Sequence, residues 1–198
     1  MKTLHLLRHG ATPWNATGQL NSTTDIGLSD RGRQEILAIA PLVQGLALDR
    51  VMCSPRRRAQ ETAQLLALPL PINPDDRLRE LDFGCFEGKT PAELAQDLPF
   101  QQWYWDANPQ VPVSVESFES VADRAQAFLQ DMATLPDNTI LAIAHGALIR
   151  ILLCHCVLGM NPHTYRRLRV DNGTLSTLIW DSQGLRLTAL NCTSLRSA

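Results

Sequence analysis

Two short apolar runs stand out along the chain: Leu4-His5-Leu6-Leu7, and Thr139 to Ala144 within Asn138–Ala144. Each has the length of a buried strand. Each ends in the same grammar, Arg8-His9-Gly10 after the first and His145-Gly146 after the second. Gly relaxes the backbone, and Pro13 cannot continue a ladder, so the first strand ends near Gly10. A further short strand is predicted at Arg50-Val51-Met52-Cys53, and Pro69 to Pro74 reads as a short extended piece. Leu175–Trp180 and Leu185–Leu190 flank Asp181-Ser182-Gln183-Gly184 and read as a closing hairpin.

Between these runs the apolar spacing turns helical. Ser29 is an N-cap for a helix with Ile36, Leu37, Ile39, Ala40 and Val43 on its apolar side, and Pro41 is expected to bend or end it early. Ser54 as N-cap and Pro55 at the first helical position predict a second helix. Thr90-Pro91-Ala92-Glu93 opens a third. Val115 to Ser117 leads into a fourth, ending near Met132, with Phe118, Val121, Ala125, Phe128 and Leu129 on one face. A last, apolar helix is expected over Ala147 to Leu158, terminated by Gly159. Strands alternating with helices indicate an α/β three-layer sandwich, a mostly parallel central sheet with helices on both faces.

Length and composition narrow the classes. The 198 residues suit one domain, 1–198, with no linker, repeat or low-complexity segment. A net charge of −2 supplies no basic field, so neither nucleic acid nor an anionic membrane is an expected partner. No apolar run approaches the roughly 20 residues of a membrane span. The chain enters a strand at once, without a signal-peptide layout, and a cytoplasmic location is expected. Five scattered cysteines suit reduced thiols. Cys154-His155-Cys156 invites a metal reading, but helical neighbours one and two apart do not face one another, and core packing is favoured.

The chemistry gathers at the strand ends. Two parallel strands delivering His9 and His145 at their carboxyl ends can place both imidazoles in one crevice. Arg56-Arg57-Arg58 crowds the first turn of a helix, where cations are disfavoured unless an anion is held nearby. At least one of the three is expected to point inward, with Arg56 and Arg57 favoured as solvated. Leu78 to Gly88 mixes acids, aromatics and glycines without periodicity. A carboxylate lined by aromatics is a candidate for proton donation near neutral pH. Asp82 and Glu87 read as exposed acids in turns. Phe100, Trp103, Tyr104 and Trp105 either pack the sheet or hang over the site as a lid.

With Arg8-His9-Gly10-Ala11-Thr12-Pro13-Trp14-Asn15, Ser54-Pro55-Arg56-Arg57-Arg58-Ala59 to Thr62, Glu80 with Phe83-Gly84 and Glu87-Gly88, and Ala144-His145-Gly146 in view, the chain resembles the histidine phosphatase superfamily, the phosphoglycerate mutase-like fold. The resemblance runs from Leu4 to about Trp180. It implies phosphoryl transfer without metal or cofactor: His9 as nucleophile, Arg8, Arg58 and His145 as the cationic cradle, and Glu80 as proton donor kept protonated by its aromatic loop. Asn15, and more weakly Asn21, Ser22 and Gly146, are implied substrate contacts.

The sequence departs from relatives at Ile26-Gly27-Leu28-Ser29, where a Pro often precedes the Leu, and at Ser114-Val115, where a glycine pair is common. Both segments shape the substrate pocket.

The leading expectation is hydrolysis of a small phosphorylated metabolite. The alternative is a cofactor-dependent phosphoglycerate mutase; a non-catalytic phospho-ligand binder ranks third. Between Leu81 and Ala122, Lys89 is the only Lys or Arg, which offers few cations to a doubly anionic substrate. The sequence carries no signal for oligomeric state.

Overall fold

A computed structural model of the chain describes residues 1–105, 110, 112 and 114–194. Among these, one six-stranded sheet runs in the order β3-β2-β4-β1-β5-β6. The strands are β1 (Lys2–Arg8), β2 (Arg50–Cys53), β3 (Ile72–Pro74), β4 (Thr139–Ala144), β5 (Leu175–Asp181) and β6 (Gly184–Cys192). β3, β2, β4 and β1 are mutually parallel, while β5 and β6 add an antiparallel edge. The expected hairpin is that edge.

Helices lie on both faces. They are α1 (Pro13–Thr17), α2 (Asp30–Gln44), α3 (Arg57–Leu65), α4 (Pro91–Gln96), α5 (Leu98–Trp105), α6 (Phe118–Thr134) and α7 (Gly146–Ile151). The alternation of a strand divides the core into two. Leu7, Val51 and Ile143 face Ile36, Ile39 and Val43 of α2 and Ala59 and Ala63 of α3. Leu4, Leu6 and Ala142 face Val121 and Phe128 of α6 and Leu148 of α7.

Three helical expectations are corrected. α2 does not stop at Pro41 but continues to Gln44. The carbonyl that Pro41 cannot bond belongs to Leu37, which is exposed and open to water, so the missing bond is cheap. α3 begins at Arg57, two residues after Pro55, and Ser54 is not its N-cap. Instead the Oδ1 of Asp25 accepts from the Arg57 N–H. The last helix is α-helical only to Ile151, then turns π-helical over Leu152–Val157. Gly159 ends it with φ of 62°, as expected of a left-handed stop. Within that π turn Cys154 is buried and His155 exposed, with Cys156 donating to the Ala122 carbonyl.

Sheet order decides where a ligand crevice opens. From β1 the chain crosses past β4 to β2, and from β4 it crosses past β1 to β5. The carboxyl ends of β1 and β4 are therefore the point where strand order reverses, which is where open α/β sheets bind ligands. Among the described residues no helix is long and apolar enough to cross a membrane.

Candidate active site

The register pairs Arg8 with Ala144, so the residues that follow, His9 and His145, leave the sheet at the same level. Their rings lie 5.0 Å apart, centroid to centroid, at 60°. Both are buried.

His9 is oriented by its own loop. Its Nδ1 lies 2.7 Å from the Gly10 carbonyl. A carbonyl only accepts, so Nδ1 carries the proton and Nε2 keeps its lone pair. Burial, and then the charges of Arg58 and Arg8, hold the imidazole well below its ordinary titration range. It is therefore a neutral ring with one free nitrogen. The loop behind it is pinned by the Thr62 hydroxyl, which accepts from Gly10 N–H, and by Glu35, which accepts from Ala11 N–H. Gly32 allows this approach: a Cβ there would stand 2.0 Å from the Ala11 carbonyl oxygen.

Arg58 is the arginine of the three that turns inward, 1% exposed. Its Nη2 donates to the Ser22 carbonyl at 3.0 Å and its Nη1 to Asn21 Oδ1 at 3.2 Å. Its Nε donates to His145 Nδ1 at 3.1 Å. That bond needs a lone pair on Nδ1, so the His145 proton is on Nε2, which donates to Ser54 Oγ at 2.7 Å. Burial and the neighbouring Arg58 charge keep His145 neutral, well below its ordinary range. The resemblance implies a cation here; with His145 neutral, the positive charge of the cradle is carried by Arg8 and Arg58. Burial costs both guanidiniums, bringing Arg8 and Arg58 down to about 10 without discharging them near neutral pH.

Arg8 donates through Nη1 to the Val170 carbonyl at 2.7 Å. Its guanidinium lies against Gly146, where an added Cβ would stand 3.0 Å from Cζ and 3.1 Å from Nε. Any larger residue at 146 would push the arginine out of place.

Glu80 departs from its expected surroundings. Its Oε1 accepts from the N–H groups of Leu81 and Leu148, and its Oε2 from Ala147 N–H. The carboxylate thus caps the N-terminus of α7 from another loop. Helix donors, not an aromatic wall, face its oxygens; Phe83 lines the same cavity, but the Phe86 and Phe100 rings pack on Trp103 in the core. The lid alternative for the aromatic cluster divides likewise. Phe100 and Trp103 are core residues, Tyr104 is half-buried and Trp105 is exposed.

Arg8, His9, Asn15, Asn21, Glu80 and Gly146 line one cavity of about 310 Å³, while Arg58 and His145 stand behind that wall, against Asn21 and His9. The Asn15 Oδ1 accepts from Thr12 and from Asn172, which leaves its amide N–H₂ as the free end. On this wall two buried donors have no partner among the described residues: Nε of Arg8 and Nδ2 of Asn21. Buried donors normally find acceptors, so both await one. Ser22 is buried, but its hydroxyl bonds Glu87 and its N–H bonds Glu87 as well, so it shapes the loop.

Four supporting residues escaped the reading of the sequence. Ser54 and Thr62 hold His145 and the His9 loop from residues 54 and 62, and Asn172 donates to the His9 carbonyl. Ser54 and Thr62 bound the motif already quoted, but their partners, like that of Asn172, are 52 or more positions away, so the motif does not show what they hold. Glu87 is not an idle exposed acid. It accepts from Ser22 N–H, Thr24 N–H and the Ser22 and Thr23 hydroxyls, pinning the loop that holds Arg58. Burial draws this carboxyl upward, but those hydrogen bonds outweigh it and hold it at about 2. Arg56 is only partly solvated: it donates to the Thr23 carbonyl on the same loop, while Arg57 is exposed and pairs with Glu61.

Comparison with known proteins identifies the family. The chain is 31% identical over 182 residues to the probable phosphoglycerate mutase GpmB of Proteus mirabilis, covering 89% of this chain and 84% of that protein. It is 28% identical over 195 residues to the adenosylcobalamin/alpha-ribazole phosphatase of Escherichia coli K12, covering 95% of each. The phosphoserine phosphatase of Entamoeba histolytica, crystallised with 3-phosphoglyceric acid, superposes with a TM-score of 0.85 at 29% identity over 97% of this chain and 98% of that one. The family model for the histidine phosphatase superfamily (branch 1) matches residues 4–193, nearly the whole length. With this match joined to a mixed six-stranded sheet that brings two histidines and two arginines to one crevice, the chain belongs to the histidine phosphatase superfamily.

Proposed function

We propose that the protein hydrolyses a phosphomonoester through a phosphohistidine on His9. One observation carries the reading: a neutral imidazole with a free Nε2 opens on a cavity whose wall holds two unpartnered buried donors, Arg8 Nε and Asn21 Nδ2. A tetrahedral oxyanion supplies the missing acceptors. The free amide of Asn15 is a further donor for its equatorial oxygens, and Arg58, its N–H groups held by His145, Asn21 and Ser22, contributes its charge from behind the wall.

In the first half-reaction the Nε2 lone pair forms the N–P bond as the ester P–O bond breaks. The departing alkoxide takes a proton from Glu80, the carboxyl on the cavity wall. In the second, Glu80 takes a proton from water, whose oxygen attacks phosphorus. The P–N bond breaks, releasing inorganic phosphate and neutral His9. Holding that proton costs Glu80 one of its backbone hydrogen bonds, so proton transfer and the N-terminus of α7 are coupled. His145 stays neutral and orients Arg58 through its Nδ1 lone pair.

The mutase reading needs a second cluster of cations for the carboxylate of its substrate. Lys89 is tied to Asp97 and is not on the cavity wall, which leaves Arg150 there beyond the phosphate cradle. Hydrolysis is the reading this charge distribution supports.

Incubation with a turnover substrate, followed by rapid acid-free denaturation and intact-mass analysis, should show one added phosphoryl group, absent from His9→Ala. The same adduct on His9→Ala would overturn the assignment. Activity is expected to survive excess chelator. Loss restored by a divalent cation would reject the metal-free route.

A further inference from the structure

A second cavity, of about 430 Å³, adjoins the phosphate cavity. The two share Leu20, Phe83 and Arg150 as common walls. Beyond those, the second is walled by Leu94 and Ala95 of α4 and by Phe100, Tyr104 and Trp105 of α5. It is an open pocket of aromatic and aliphatic surface bordering the phosphorylation site.

Polar side chains are a minority on its wall, and Gln101 and Arg150 are each partly committed. The amide of Gln101 donates to the Leu94 carbonyl. Arg150 is the sole charged residue on this wall among the described residues, and its Nε donates to the Gly146 carbonyl while its guanidinium lies 4.9 Å over the Tyr165 ring. An apolar body finds more matching surface here than a polyol, whose hydroxyls meet few polar partners on this wall. Trp105, by contrast, is 60% exposed, an unusual state for a tryptophan on a cavity wall. A ligand covering its face would remove that surface from water.

Resting on the phosphatase reading above, we infer that the substrate is a phosphomonoester whose alcohol carries an aromatic or bulky apolar body, seated in this chamber while the phosphoryl group occupies the cradle. The volumes of both cavities fall in the range of small-molecule sites, about 300–1,000 Å³. Leu20 and Phe83 are then specificity-determining residues at the junction, and Arg150 faces the ester oxygens from the boundary.

The test separates binding from turnover. Non-hydrolysable ethylphosphonate and 2-(2-naphthyl)ethylphosphonate carry the same charge and differ in apolar body. Calorimetric titration should give the naphthyl compound about tenfold or more the affinity of the ethyl one, from aromatic burial alone. Equal affinities would overturn the inference. Ala95→Glu, at an exposed position on the chamber wall, should erase most of that ratio, and Trp105→Ala should reduce it, with ethylphosphonate affinity unchanged in both. A ratio that survives both substitutions would move the apolar contact elsewhere and overturn the assignment of this chamber.

Turnover is read with ethyl and 2-(2-naphthyl)ethyl phosphate, two primary alkyl esters of similar leaving-group acidity. Hydrolysis of both at the same kcat/KM would sink the inference and leave the phosphatase reading standing. Tight phosphonate binding without hydrolysis of either ester would do the reverse.

Discussion

The Nε–H of Arg58 donates to Nδ1 of His145 across 3.1 Å, so the lone pair of the second histidine is spent on the arginine. Its other nitrogen is spent on Ser54. Arg58, which can only donate, fixes the tautomer, and Ser54 holds the ring by accepting from its protonated Nε2.

Ser54→Ala should therefore lower kcat/KM about fivefold, the worth of one hydrogen bond, while phosphohistidine still forms on His9. Steady-state kinetics and intact mass measure the two separately. Unchanged kinetics would show that the ring is held in place without Ser54.

Glu80 carries two duties, capping α7 and handling the proton. Glu80→Gln keeps one oxygen acceptor and turns the other position into a donor facing the N–H groups of Ala147 or Leu148. Hydrolysis of an alkyl phosphate should slow by roughly 10²-fold, the size of a general-acid contribution, and that of p-nitrophenyl phosphate by a few-fold. Equal slowing of both would remove Glu80 as proton donor. A fall in melting temperature should accompany either outcome, since the cap is weakened.

Glu87 acts at one remove, through the loop that it pins. In Glu87→Gln the KM for a phosphate ester should rise more than kcat falls, because the Ser22 carbonyl that holds Arg58 is displaced. The carboxyl sits at about 2 when folded, against an ordinary value of 4.5. Its contribution to stability is therefore complete above pH 4.5 and is lost as pH falls from there toward 2. Denaturant unfolding should show wild type and Glu87→Gln converging over that interval. A constant gap would mean that the hydrogen bonds are not made by the charged form.

His5 gives the fold its own acid sensitivity. It is buried on β1 with Nδ1 3.0 Å from the Thr177 hydroxyl, and burial brings its imidazole down to about 4 from 6.5. The folded state holds it neutral where the unfolded chain protonates it, so stability falls as pH drops from 6.5 to 4, by about 3 kcal/mol. His9 and His145 add in the same direction. The slope of unfolding free energy against pH should ease by about one proton in His5→Gln across this window. No change in slope would place the titration elsewhere.

Much of this was legible in one dimension. The apolar runs ending in His9 and His145 predict two strands whose carboxyl ends meet, because strand length and burial are local properties of the pattern. Helix starts at Ser29, Thr90 and Ser117 were equally local, each hydroxyl bonding an N–H three residues on. Arg58 needed more: among three adjacent arginines, spacing alone did not single out the buried one.

What the chain order could not carry is the set of bonds made across it. Ser54 looks like a helix cap until the fold brings His145 to its hydroxyl, 91 positions away. Glu80 looks like an acid among aromatics until α7 arrives with two N–H groups to cap. Local periodicity fixes which residues are buried and on which face, since that depends on near neighbours. Tautomer, hydrogen-bond partner and the apolar chamber beside the cradle depend on which distant segments the sheet order sets side by side, and tertiary packing alone decides that.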